Sequence, residues 1–131
     1  MLVLFPLHPR RVLEIGKPAV DRGAKVGLVR LRTIRPYPTD RVQEVLSKFK
    51  VVGVVETNMG LGSVSSGGSL YAEVCSALYE SPTRPVVVSF MAGMGGEAIV
   101  LKEFYWMTQK MIEAQKRGKI EKRTHWVGFE E

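Results

Sequence analysis

Three stretches of the chain carry the residue types that ligand-holding loops use: Ile34 to Pro38 (IRPYP), Glu56 to Gly68 (ETNMGLGSVSSGG) and Met91 to Gly96 (MAGMGG). Glycine amides that open into a helix can cradle a phosphate, because the first amides of a helix lack backbone partners and sit at its positive end. The two glycine loops have that composition without the matching spacing. Neither carries G-x-G-x-x-G directly after a strand, and no Walker lysine is followed by serine or threonine. The simpler expectation is that the glycines let the chain turn sharply beside neighbouring backbone, with Ser66 or Ser69 capping the helix that follows.

The remaining reactive side chains do not assemble a catalytic set. Glu56 ends an apolar strand, where an uncompensated carboxylate would be costly, so it is expected to face solvent, a loop amide or a partner domain. As a general base it would need a substrate within reach, and no neighbour in sequence completes such a constellation. His8 and His125 lie far apart and outside any metal-ligand spacing, which makes each a surface or packing residue. Cys75 falls on the apolar face of a helical pattern and reads as a small buried hydrophobe. Ser63, Ser65 and Ser66 lack the G-x-S-x-G elbow of a nucleophilic serine.

Composition narrows the class. The chain has 131 residues, 45% hydrophobic and 24% charged, enough for one domain with its own core. No apolar run approaches the roughly 18 to 20 residues of a membrane span. The opening MLVLFPLHPRR puts its basic residues after the apolar run, the reverse of a secretory signal, so a cytoplasmic protein is expected. One cysteine can build neither an internal disulfide nor a zinc or iron–sulfur site, so any cluster belongs to a partner. The formal charge of +6 invites an anionic partner. The densest basic group, Lys116, Arg117, Lys119, Lys122 and Arg123, is broken by Glu121 and lacks interleaved aromatics, so it reads as a solvated helix end and no nucleic-acid partner is expected.

The elements that must position the loops alternate. Lys25 to Thr33, Val51 to Val55 and Val86 to Phe90 read as strands, and Leu2 to Phe5 as a fourth. The continuous β-branched runs suggest strands buried on both faces. Val42, Val45, Leu46 and Phe49 make a helical stripe behind Thr39 as N-cap, with Asp40 in the first turn. Leu70, Tyr71, Val74, Cys75 and Leu78 make a second, which Pro82 and Pro85 terminate. A third helix is expected from about Glu97 to Arg117, with Leu101, Phe104, Tyr105, Thr108, Met111 and Ile112 on one face and Gly118 as its stop. An earlier one spans about Arg11 to Arg22. Strands alternating with helices predict a single three-layer α/β domain over residues 1 to 131, with a mostly parallel open sheet. Its ligand-competent edge is the carboxyl end of the strands, where the three loops leave.

Taken together, "KVGLVRLRTIRPYP", "VVETNMGLGSVSSGGSLYAEVCSALY", "RPVVVSFMAGMGGEAI" and the closing "HWVGFEE" resemble, in order and spacing, the C-terminal part of the alpha subunit of pyruvate and other 2-oxoacid:ferredoxin oxidoreductases. The resemblance covers roughly residues 10 to 131 and implies a transketolase C-terminal-like fold. It implies an assembly that decarboxylates a 2-oxoacid on thiamine diphosphate with Mg2+, passes electrons through iron–sulfur clusters to ferredoxin and forms an acyl-coenzyme A. Those cofactors lie elsewhere in such an assembly and none is expected on this chain, which is then a non-catalytic domain. Its partners would be the thiamine-pyrimidine domain of the same subunit, the other subunits and a second copy in a homodimer. No catalytic residue carries over. What carries over is a rim of loop residues, serving an interdomain contact or an anion: Arg35, Pro36, Tyr37 and Pro38; Glu56, Asn58, Gly60, Gly62, Gly67 and Gly68; Gly93, Gly95 and Gly96. A stand-alone phosphate- or nucleotide-binding module is the alternative that the residues alone leave open.

Overall fold

The computed structural model describes residues 2–5, 25–60 and 67–129, with residues 2–5 given as a backbone path. The helix expected over 11–22, His8, Gly62, Ser63, Ser65 and Ser66 lie outside the described residues.

Five parallel strands form one sheet: β1 (Leu2–Phe5), β2 (Gly27–Arg30), β3 (Val51–Glu56), β4 (Val86–Met91) and β5 (Thr124–Trp126), in the order β2-β1-β3-β4-β5. Among the described residues three helices cover it: α1 (Thr39–Leu46), α2 (Ser69–Tyr79) and α3 (Leu101–Arg117). Every residue of β3 is buried, as its unbroken apolar run requires. Alternation along the strand sends Val51 and Val55 toward α3 and Val52 and Val54 toward α1 and α2. One core packs Phe104, Met107 and Met111 on Val88 and Phe90. The other packs Val42, Leu46, Leu70, Val74 and Leu78 on the opposite face. Two cores on one sheet make the three-layer α/β fold of a transketolase C-terminal-like domain.

The elements differ from the sequence pattern mainly at their ends. Leu2–Phe5 is an interior strand of the sheet, bonded to the edge strand β2 on one side and to β3 on the other. The strand expected over 25–33 pairs over Gly27–Arg30 only, because β1 offers four residues to pair with. Helix α1 begins at Thr39 and has Pro38 in the N-cap position, with no side-chain cap. Thr39 is therefore the first helical residue, not the cap. Phe49 lies beyond the last turn but still packs on the α1–α2 core. Helix α3 starts at Leu101, after a short 3-10 turn at Met94–Gly96, and its start is fixed by the Glu103 carboxylate accepting the Val100 N–H at 2.9 Å. Its buried face is Phe104, Met107, Thr108, Met111 and Ala114, while Leu101 is exposed. Gly118 closes it in the left-handed conformation, as expected. Strand β5 is too short to carry a sequence signal of its own, and it exists because Thr124, His125 and Trp126 align with Ser89, Phe90 and Met91.

Gly53 is required by packing. A Cβ there would come within 2.7 Å of Met111 Sδ and 3.2 Å of Phe90. The bare strand surface at this point is what lets α3 lie close to the sheet.

Candidate functional site

Glu56 is the last residue of β3, and the strand's alternation turns its side chain toward the start of α2. It is 1% exposed. Its Oε1 accepts the N–H groups of Gly68 and Tyr71, each at 3.1 Å, and Oε2 accepts that of Leu70 at 2.9 Å. The carboxylate thus occupies the helix N-terminus that a phosphate would use, and satisfies amides that have no partner inside the helix. Burial pushes its pKa up, and the hydrogen bonds from Leu70, Tyr71 and Gly68 oppose that shift without cancelling it. Of the alternatives open for Glu56, the structure selects loop and helix amides. Ser69 is the first helical residue and caps nothing, since the N-cap position belongs to Gly68 and the capping oxygens come from Glu56, twelve residues back.

Gly67 and Gly68 make this approach possible. A Cβ on Gly68 would fall inside the Glu56 carboxylate and the Asn58 carbonyl oxygen. Gly67 has φ +76°, and a Cβ there would sit 2.7 Å from Ser89 Oγ and 2.8 Å from the Tyr71 ring. Asn58 is exposed while its carbonyl lies against Gly68, and Gly60 is half-buried in the same loop.

The IRPYP loop reaches the same helix from the other side. The Arg35–Pro36 peptide is cis. Arg35 pairs with Glu73 of α2 at 2.6 Å, and its side chain stays 67% exposed. Tyr37 packs into the α1–α2 core beside Pro38, and burial, aided by the Glu73 carboxylate, lifts its phenol above the ordinary tyrosine range. Tyr71 is likewise pushed up to about 12, mainly by burial. Cys75, half-buried one turn along α2, has its thiol raised by burial, an effect that a hydrogen bond from Tyr71 moderates. A buried, disfavoured thiolate is a packing residue with little nucleophilic character.

The third loop is built differently. Gly93, Gly95 and Gly96 all have positive φ, and a Cβ at Gly95 or Gly96 would meet nothing within 4 Å. These glycines make a left-handed turn open to the outside. Gly93 lies against Glu97 and Thr57, which joins this turn to the loop after β3. Val100, Leu101 and Phe129 are exposed around the same end of the sheet. The fold therefore brings all three loops to one edge. It ties two of them to α2 through Glu56 and Arg35, and leaves the third open.

His125 is a packing residue. It is buried, stacked on Phe90 at 5.6 Å, with Trp106 edge-on at 5.6 Å. The cavity beside it, between Lys110, Arg117 and Lys119, has a volume of about 10 Å³, room for about one water molecule. Among the described residues no three His, Cys, Asp or Glu side chains gather as a metal site, and no helix is long and apolar enough to cross a membrane.

Residues 10–104 match the family model described as pyruvate:ferredoxin oxidoreductase core domain II. The chain is 28% identical over 109 residues to the pyruvate synthase subunit PorA of Pyrococcus abyssi, covering 83% of this chain and 27% of the relative. To the ketoisovalerate oxidoreductase subunit VorA of Pyrococcus furiosus it is 30% identical over 114 residues, covering 84% and 28%. To PorA of Thermotoga maritima it is 37% identical over 79 residues, covering 60% and 19%. The chain spans about a quarter of the length of the first two of these relatives.

Proposed function

The chain belongs to the family of pyruvate:ferredoxin oxidoreductase core domain II, and from that premise we propose that it is a non-catalytic packing and assembly domain of a 2-oxoacid:ferredoxin oxidoreductase alpha subunit. The whole assembly would oxidatively decarboxylate a 2-oxoacid such as pyruvate to an acyl-coenzyme A and hand the electrons to ferredoxin, in the cytoplasm. Thiamine diphosphate, Mg2+ and iron–sulfur clusters would be held by other domains and subunits. The observation that carries this is what fills the one phosphate-like cradle of the described residues. The amides at the start of α2 are donated to Glu56, a charge of the same sign as a diphosphate. A thiamine diphosphate or nucleotide placed there would have to displace a buried carboxylate. The stand-alone phosphate-binding module is disfavoured for the same reason.

In the proposed role the carboxyl edge is the contact rim toward the thiamine-pyrimidine domain. Arg35 to Pro38 with Glu56, Gly67 and Gly68 would be its rigid part, and Gly93 to Gly96 with Val100, Leu101 and Phe129 its open part. An exposed ion pair contributes under about 1 kcal/mol, so Arg35→Ala is expected to leave the stability of the chain nearly unchanged while weakening its association. The test mixes the purified chain with the thiamine-diphosphate-binding and cluster-bearing subunits of the same source, and follows complex mass by light scattering and 2-oxoacid-dependent ferredoxin reduction. A stable, active complex is the expected result. A chain that stays apart from those subunits and instead binds nucleotide or coenzyme A in calorimetry would replace this role with the binding-module one.

A further inference from the structure

The opposite edge of the sheet carries a second feature. Lys50 directly precedes β3, and its carbonyl accepts the Val86 N–H at 3.0 Å, which sets it beside Arg84 at the entry of β4. Helix α3 runs antiparallel to these strands. Its Met111 lies over Gly53, so Lys116 and, past the Gly118 cap, Lys119 fall toward the Lys50 end. Arg117 and Lys119 border Val88 and His125 there. Lys50, Arg84, Lys116 and Lys119 are all exposed. The neighbouring acids are already engaged: Glu44 by Arg41 and Lys48, Glu113 by Lys110, and Glu121 by Arg117. Among the described residues, Glu80, at the end of α2, is the exposed carboxylate left on this edge to balance the four cations.

Helix dipoles explain part of this charge. Lys116 and Arg117 stand in the last turn of α3, where cations are favourable. Lys119 stands just past the Gly118 cap of α3, and Lys50 and Arg84 lie outside the helices. Beside them Tyr79 is 70% exposed, with the Arg84 guanidinium 5.2 Å from its ring centroid. Tyrosine and arginine held together by a cation–π contact form a pre-ordered pair of the two residue types that most often anchor interfaces. The pair also separates two kinds of anionic partner. A nucleic acid would need the tyrosine face for base stacking, and Arg84 already lies over that ring.

We propose that the amino edge of the sheet, with Lys50 and the Tyr79–Arg84 pair at one layer and Lys116 and Lys119 at the other, docks an acidic face of another subunit of the oxidoreductase assembly. This rests on the assembly role proposed above, and uses a different surface from the loop rim. The charges steer encounter with the acidic face, and the Tyr79–Arg84 pair supplies the desolvated anchor.

The test measures binding of the full chain to the co-produced remaining subunits of the same source by biolayer interferometry, at salt from 50 to 500 mM. Compared are wild type, Lys50→Gln/Lys119→Gln, Tyr79→Ala and a charge-matched control, Arg30→Gln/Arg41→Gln. All sites are exposed, and circular dichroism confirms that the variants fold. The lysine variant is expected to associate about ten-fold more slowly at low salt and to lose most of the salt dependence. Tyr79→Ala is expected to dissociate at least ten-fold faster, and the control to match wild type. Binding that is equally strong in the lysine variant and wild type overturns the amino edge while leaving the assembly role intact. Absence of binding in every form, wild type included, overturns both. Retention of a DNA or RNA oligonucleotide that falls in the lysine variant, with no subunit binding, would make the edge a nucleic-acid surface instead.

Discussion

Gly68 donates its amide to Glu56 at 3.1 Å and leaves that carboxylate the space where its own Cβ would lie. The hydrogen bond and the missing side chain are one device, since any L-residue at this position would push the cap off the helix. Gly68→Ala is therefore expected to cost about 3 kcal/mol, combining overpacking with a lost cap. In a domain of this size that lowers the melting temperature by roughly 10 °C. Differential scanning calorimetry checks it, and a variant within 2 °C of wild type would show that the loop yields freely.

Glu56 sets a pH dependence whose sign follows from its raised pKa. The folded state holds the proton to higher pH than the usual carboxylate value of 4.5, so the protonated group's contribution is complete below that value and is lost as pH rises through the folded pKa. Glu56→Gln, a neutral isostere, does not titrate. Its stability deficit against wild type, from urea unfolding between pH 4 and 8, is expected to narrow as pH rises. A deficit that widens would mean that the three amides outweigh burial. Glu56→Ala, which strands those amides, is expected to lose about 3 kcal/mol or more.

Gly53 and Met111 are coupled through space. Gly53→Ala forces the thioether away and is expected to cost about 1–3 kcal/mol. Met111→Val makes room and leaves its own cavity. Because the two share one site, their double variant is expected to be more stable than the sum of the single losses by about 1 kcal/mol. Additive losses in chemical denaturation would remove the contact as the reason for the glycine.

Cys75 is expected to react slowly with iodoacetamide, with the rate still rising above pH 9, because burial disfavours its thiolate. The hydrogen bond from Tyr71 pulls the other way, so Tyr71→Phe moves the midpoint of the labelling profile further up. A midpoint near 7 in the wild type would mark an activated thiol and contradict a packing role.

What the sequence reveals and what it hides have different physical origins. The β-branched runs of β3 and β4 and the stripes of α1 and α2 report burial on a period, and the two-faced core followed from them. The start of α2 did not. A serine-rich stretch before a helix predicts a serine cap, whereas the cap is Glu56 from the preceding strand, and a contact across twelve residues leaves no local pattern. The glycines of the same loop were legible as turn residues, but only the packing of Gly67 on Ser89 and of Gly68 on Glu56 explains their places. Strand β5 is defined wholly by its neighbour. For α3, Met107 and Ala114 join Phe104, Thr108 and Met111 on one helical period, while Leu101, the first residue of the helix, stays exposed.

The strand order carries a consequence for how the domain is made. Leu2 pairs with Gly27 on one side and Val52 on the other, so this interior strand is complete only when both distant neighbours have come to it. Closing such distant pairs slows folding. Cutting those few residues away would not trim the sheet at a margin. It would divide it, leaving β2 without the strand it bonds and a slot between β2 and β3 shaped for the missing segment, which a synthetic LVLF peptide could be asked to fill.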